Sequence, residues 1–547
     1  MGSFEDFAKK NYSLSGAAEG TQAGRPVHAG KPLNALTASI PLSSFTRHGL
    51  VAGSTGTGKS RAVQKIIEEL SAAGIPTFLT DVKGDVSGFC VEGTPERAEK
   101  RAQALGYDWS PSKFPSAYWS LSNRFVPLRF RVGDVGAVLL SRLLTLNPVQ
   151  ESHLNIAFIY AEQNAKDLVS LTDLKAELEF LRNNPDEISG TSPQAINVIL
   201  RKLSELSAGP AGKMFGEPAI DLKDVMADAR VNVLHLADSK DDNASAVAAA
   251  FLLYKLFRDL PEIGEAARPK MVFFIDEAHV LFKDANKSVV DLVTTILRRI
   301  RSKGVGVFFI TQDALDLPSP ILKLLGTKIQ FAMRAFTKKE LDDQKAVAES
   351  FPKSDFYDVR EEVKALPTGE SFISILSAGG ESLAPLRVAW FPPQSLMDAP
   401  DEKALEAAVN RSGLTGRYSA VQKQFKLPEF GARKPQEQKA KEMRESVGGV
   451  SAKGKAEKAM APKGRGSAAG KNGLRTLWII LKSVETFLYF AAYKPLKWFA
   501  RWLLKKPKRI AWLVFFVLLA IVALRYWPEI NSLVKAAVGL LDKIAGR

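Results

Sequence analysis

The chain has 547 residues, one cysteine (Cys90) and a formal net charge of +16. A single thiol excludes an intramolecular disulfide framework and fits a reducing compartment, and the length allows roughly two to four domains. The charge is uneven: residues 431–547 hold 24 Lys+Arg against 7 Asp+Glu, a net of +17, which leaves −1 for residues 1–430. A basic tail on a neutral body points to a membrane surface before nucleic acid.

In chain order, residues 1–25 read as polar and loose. MGSFEDFAKK lacks the apolar stretch of a signal peptide, and Asp6 breaks the myristoylation pattern. Short strands and turns are expected over 26–48, so 1–48 forms an N-terminal segment. Leu50-Val51-Ala52 predicts a buried strand, and Ala62-Val63, Ile66-Ile67 and Leu70 predict a helix. Between them, Gly53, Gly58, Lys59 and Ser60 fit the phosphate-loop pattern G-x-x-x-x-G-K-[ST].

That chemistry needs those residue types. Glycines let consecutive backbone N–H groups turn inward onto phosphate oxygens. Gly53, Ser54, Thr55, Gly56, Thr57, Gly58, Lys59 and Ser60 are therefore the candidate nucleotide-binding residues. Lys59 would reach the β- and γ-phosphates, and Ser60 would offer its hydroxyl to Mg²⁺ at a helix N-terminus.

The strand expected at 75–80 ends in Asp81-Val82-Lys83-Gly84-Asp85, where open α/β sheets place ligands. Residues 49–90 thus open a nucleotide-binding core. Helical periodicity over 134–165, 171–183 and 193–207 makes 91–225 a mainly helical insertion. The core resumes over 226–400, with a strand at 231–236 and helices at 242–259 and 287–302. Further strands are expected at 271–275, 305–312, 328–336, 370–376 and 386–391. Apolar strands alternating with helices imply a mostly parallel α/β sheet. Residues 401–473 read as a basic linker, most clearly from 431, where large apolar residues nearly vanish.

Four apolar residues precede Asp276-Glu277. Asp276, at a strand end, would hold Mg²⁺, and Glu277 would polarise the attacking water. Gln312 ends the next strand and would sense the γ-phosphate. No Asn-Lys-x-Asp pattern is present, so ATP is preferred to GTP. Asp276-Glu277-Ala278-His279 spells a helicase box, but the second motor domain that such enzymes need is missing. The five histidines are scattered and make no metal site.

These stretches together resemble the HerA/FtsK branch of P-loop motor ATPases, most closely the bacterial YjgR-type HerA-like proteins. The resemblance is carried by Arg47–Gly53, Asp81–Gly88, Phe215-Gly216-Glu217-Pro218, Phe274–His279, Ile300–Val307, Thr311-Gln312 and Arg334-Ala335-Phe336-Thr337. It covers about residues 30–395 and implies a RecA-like P-loop fold. It also implies ATP hydrolysis with Mg²⁺, a homo-hexameric ring and, often, translocation of double-stranded DNA. In such rings a neighbour's arginine completes the site; Arg334 and Arg301 are the candidates, and Arg334 is favoured. Two departures stand out. Residues 1–48 are too few for the N-terminal β-barrel of HerA proper, and Thr327-Lys328 replaces the family's Asn-Arg.

Residues 510–524, IAWLVFFVLLAIVAL, are fifteen uncharged, mostly apolar residues between Arg509 and Arg525. They are expected to span a thin bilayer, with 474–493 lying on its surface as an amphipathic helix or making a second span. The basic cluster 505–509 puts that side, and the ATPase body, in the cytoplasm of a bacterial inner membrane. The reading is a membrane-tethered ring ATPase that contacts lipid through 474–527, with an unidentified nuclease or membrane protein as a further class of partner. The rival is a membrane-anchored scaffold or protein-handling ATPase of a secretion or defence system that does not move DNA.

Overall fold

The computed structural model describes residues 3–419, except 15–18, 123, 186–191, 238–241, 284–286 and 378. Its strands, in chain order, are β1 (Gly20–His28), β2 (Lys31–Pro32), β3 (Ala38–Pro41), β4 (Gly49–Ala52), β5 (Thr77–Asp81), β6 (Ser116–Ser120), β7 (Val126–Pro127), β8 (Val231–His235), β9 (Met271–Ile275), β10 (Val305–Thr311), β11 (Thr327–Phe331), β12 (Glu370–Ser374) and β13 (Leu386–Trp390). They form one sheet in the order β2-β1-β13-β12-β11-β4-β10-β9-β5-β8-β6-β7, with β3 paired to β1. From β11 to β7 every pairing is parallel. From β11 outward through β12, β13 and β1 every pairing is antiparallel. The fold is therefore mixed α/β with a mostly parallel sheet.

The central strands carry the longest apolar runs. Every residue of β9 (MVFFI) and β10 (VGVFFIT) is buried, as a parallel strand covered on both faces requires. Parallel pairing aligns the C-terminal ends of β4, β5, β9, β10 and β11 along one edge. The helix Lys59–Ala72 starts at that edge and buries Ala62, Val63, Ile66, Ile67 and Leu70. A strap after β13 holds it from outside. Buried Glu68 accepts from the amides of Gln394 (2.8 Å) and Ser395 (2.9 Å), and Gln64 Nε2 donates to Ser395 Oγ and Leu396 O, both at 2.8 Å.

His48 locks β4 to its neighbours from the opposite edge. Its Nδ1 accepts from the amide of Val307 at 3.1 Å, so Nε2 carries the proton and donates to Leu297 O at 2.8 Å. Burial is the main cause that pushes its pKa down to about 4. The unfolded chain, with an ordinary histidine near 6.5, then binds more protons than the folded one between those values. The stabilisation is complete above about pH 6.5 and is lost as pH falls toward 4. The expected contribution is on the order of 3 kcal/mol. Urea unfolding between pH 4 and 7 should show this slope, and His48→Phe should flatten it; an unchanged slope would refute the assignment.

Three expectations are corrected. The described part of residues 1–25 is not loose: Phe4–Tyr12 is a helix, opened by a Ser3/Asp6 capping box, and it buries Phe4, Ala8 and Tyr12. Their spacing by four places them on one face, which the surrounding polar residues disguise. The insertion 91–225 is not outside the sheet throughout. Helices Val132–Leu143, Pro148–Gln163, Leu171–Asn183 and Pro193–Ala208 make its bulk, but β6 and β7 join the parallel sheet beyond β8. SAYWS is too short for its alternation to stand out, and its place is fixed by Trp119 Nε1, which donates to Asn232 Oδ1 of β8 at 3.1 Å.

The third correction concerns the linker, which does not start at 401. The helix Glu402–Arg411 and the turn Thr415–Tyr418 pack on the body. Tyr418 is fully buried, donates to Asp224 Oδ2 at 2.6 Å, and accepts from the Asp221 amide at 3.0 Å. Tyr418→Ala should cost about 3 kcal/mol or more, by analogy with other buried aromatic deletions. Chemical denaturation will measure it, and a loss below 1 kcal/mol would mean the segment is dispensable. Residues 420–547, which include the remaining linker, the surface helix and the span read from sequence, lie outside the described residues. Among the described residues, no helix is long and apolar enough to cross a membrane.

Candidate active site

The phosphate loop gets its shape from glycine backbones. Gly53, Gly56 and Gly58 all have positive φ. Gly58, at φ 110°, also abuts a distant segment: a Cβ there would lie 2.9 Å from the backbone of Gly369. Side chains are thus barred by conformation and by space. The loop is tied down at 2.9 Å from Ser54 N to Ala332 O, at 2.9 Å from Arg334 N to Ser54 Oγ, and at 2.8 Å from Gly369 N to Thr57 O. No acceptor among the described residues meets the amides of Thr55, Gly56, Thr57 or Gly58. Four free donors at a helix N-terminus form an anion cradle.

Lys59 lies over this loop, and its ammonium donates to Gly53 O (2.5 Å) and Ser54 O (3.0 Å). Burial lowers its pKa, against the attraction of Glu277. Beside it, Thr55 Oγ1 donates to Gln312 Oε1 at 3.3 Å, and Gln312 Nε2 donates to Glu277 Oε1 at 3.4 Å. The structure therefore joins Lys59, Gln312 and Glu277, which end or follow three adjacent parallel strands. Glu277 is buried and has a left-handed φ of 47°, a strained setting for a residue with a Cβ. Its Oε2 lies 3.3 Å from His279 Nδ1, without hydrogen-bond geometry.

Asp276 sits one residue earlier, its amide donating to Thr80 Oγ1 at 3.0 Å. Burial, then the nearby carboxylates of Asp81, Glu277 and Asp85, push its pKa up to about 8. So much negative charge around one point favours a cation. The oxygen donors present, a hydroxyl and carboxylates, suit Mg²⁺, which takes few protein ligands when it shares substrate phosphates. Among the described residues, no cluster of three or more His, Cys, Asp or Glu could hold a metal unaided. Ser60 Oγ faces Asp85 Oδ2 at 3.2 Å, so Asp85 is a third oxygen-bearing residue at this point. The sequence puts Lys83 and Asp85 at a ligand-bearing strand end but assigns neither a role in the site. Lys83 pairs with Glu277 Oε1.

The two arginines separate. Arg334 follows β11 at the loop edge; it is exposed, and its guanidinium makes no ion pair among the described residues. Arg301 precedes β10, at the opposite end of the sheet, and pairs with Glu265. Lys328, in place of the family's arginine, donates to Ser350 O at 2.9 Å and lies over the Phe351 ring.

A phosphate loop, an acidic strand end and a polar sensor position, aligned on one edge of a parallel sheet, define a P-loop nucleotide-binding domain. The chain belongs to the helicase HerA-like C-terminal family, whose model matches residues 29–484. It is 24% identical over 340 residues to the DNA double-strand break repair helicase HerA of Sulfurisphaera tokodaii, covering 61% of this chain and 63% of that protein. The protein of the same name from Saccharolobus solfataricus is 23% identical over 344 residues, with the same coverage. The chain thus spans less than two thirds of these relatives. Among solved structures, the conjugative coupling protein TrwB lacking its N-terminal segment aligns at TM-score 0.46 and 13% identity, covering 73% of this chain and 94% of that one. TrwB in complex with ADP and Mg²⁺ aligns at 0.45 and 14%, covering 72% and 100%. VirB4 of Thermoanaerobacter pseudethanolicus aligns at 0.45 and 13%, covering 69% and 98%.

Proposed function

We propose that the chain is an ATP-hydrolysing motor subunit that assembles as a homo-hexameric ring and moves double-stranded DNA. The observation that carries the hydrolytic part is the Thr55–Gln312–Glu277 relay beside four unengaged loop amides. The amides of Thr55 to Gly58 hold the β- and γ-phosphates. Lys59 exchanges the carbonyls of Gly53 and Ser54 for phosphate oxygens. Glu277 takes the proton of the attacking water, and Gln312 orients that water against the γ-phosphate. Ser60 and Asp276 would hold Mg²⁺, which neutralises charge on the phosphates. Arg334 completes the site of an adjacent subunit. Membership of the HerA-like family and the helicase names of its relatives support DNA as the cargo.

Membrane attachment through 474–527, with the body on the cytoplasmic side of a bacterial inner membrane, rests on the apolar run 510–524 and the basic residues before it. The second reading, a membrane scaffold whose hydrolysis ignores DNA, is favoured by one observation: the positive charge lies in the tail and not in the body. One experiment decides between them. ATP hydrolysis by the full chain is measured with and without double-stranded DNA over a salt series. A motor is stimulated by DNA, and the stimulation falls as salt rises. A rate indifferent to DNA favours the scaffold.

A further inference from the structure

Lys83 has no part in the mechanism so far. It stands on the turn after β5, and Asp81 sets the shape of that turn. The Asp81 carboxylate accepts from Gly84 N at 2.8 Å, Val86 N at 3.2 Å and Ser87 Oγ at 2.5 Å. Because β5 pairs with β9, the turn stands beside the strand end that bears Glu277. There the Lys83 ammonium pairs with Glu277 Oε1, the oxygen that also accepts from Gln312 Nε2. Glu277 is buried, whereas Lys83 is half exposed. A continuous set of contacts therefore runs from Thr55 of the phosphate loop, through Gln312 and Glu277, to Lys83.

A carboxylate oxygen held by an ammonium is closed to water, and a general base must present a free oxygen to its water. A terminal phosphate is more highly charged than a carboxylate and competes well for the same ammonium. We propose that Lys83 reads the γ-phosphate: it leaves Glu277 Oε1 for a γ-phosphate oxygen, and so frees the base only when the phosphate to be cleaved is present. This rests on the nucleotide reading above. A nucleoside diphosphate offers no such oxygen, so Lys83 stays on Glu277 and the base remains engaged. Only hydrogen bonds and ion pairs are exchanged.

The test uses the full chain with Mg²⁺ and two probes, ADP and a non-hydrolysable ATP analogue. The readout is the ratio of the two dissociation constants. Lys83→Ala should leave ADP binding unchanged and reduce the preference for the analogue by roughly 10- to 100-fold, the range for a lost hydrogen bond to a charged group. Lys83→Arg should restore most of the preference. Glu277→Gln removes the competing partner, so it should tighten analogue binding when Lys83 is present and not in the double variant. Thermal unfolding of each variant separates lost fold from lost contact. If ADP and analogue affinities weaken together, or the preference survives Lys83→Ala, the inference is wrong and the nucleotide reading stands. If the unaltered chain binds neither probe, both readings fall.

Discussion

Glu277→Gln is expected to bind ATP and to turn it over about 10²- to 10⁴-fold more slowly, the usual loss of a general base. The amide keeps the size of the carboxylate and can still meet Gln312, whose Nε2 lies 3.4 Å from Glu277 Oε1. What disappears is the ability to take a proton from water. Lys59→Ala should differ in kind. Its ammonium is the cation that lies over the loop carbonyls, so binding itself should fail. Single-turnover hydrolysis beside nucleotide titration distinguishes the two. Near-normal turnover by Glu277→Gln would place the base elsewhere.

Arg334→Ala is expected to reduce hydrolysis by about 10³- to 10⁵-fold, the worth of an arginine finger, and Arg301→Ala to leave it nearly unchanged. The difference follows from the direction of the strands. Arg334 comes after β11, at the edge with the phosphate loop; Arg301 comes before β10, at the far edge, and is held by Glu265. If Arg334 serves a neighbour, mixing Arg334→Ala with Lys59→Ala protomers should recover activity, because some interfaces then pair an intact loop with an intact arginine. No recovery, with each variant alone inactive, would place Arg334 in its own subunit's site.

Much of the site was legible in sequence because its parts are local. The loop is eight consecutive residues, Gly53 to Ser60, and Asp276-Glu277 and Gln312 follow apolar runs of strand length. The sidedness of the arginines was also readable, since each lies on a known side of its strand. Lys83 and Asp85 are different. Their partners, Glu277 and Ser60, become neighbours only through the lateral order β4-β10-β9-β5, which spacing along the chain does not specify. The helix Phe4–Tyr12 was obscured because its three buried residues lie among five polar ones and look like a loose terminus, and β6 because five residues give too short a period to detect.

The phosphate loop is continuous in sequence, but its walls are not. Ala332, Arg334 and Gly369 hold Ser54 and Thr57 in place, and all three are made long after the loop itself. A nascent chain that has just released residues 53–60 therefore carries the motif without the cradle. Closing such distant contacts is the slow, entropically costly stage of assembly. The cradle is thus complete only after β11 and the turn before β12 have been added, while β13 and the helix Glu402–Arg411 are still to come.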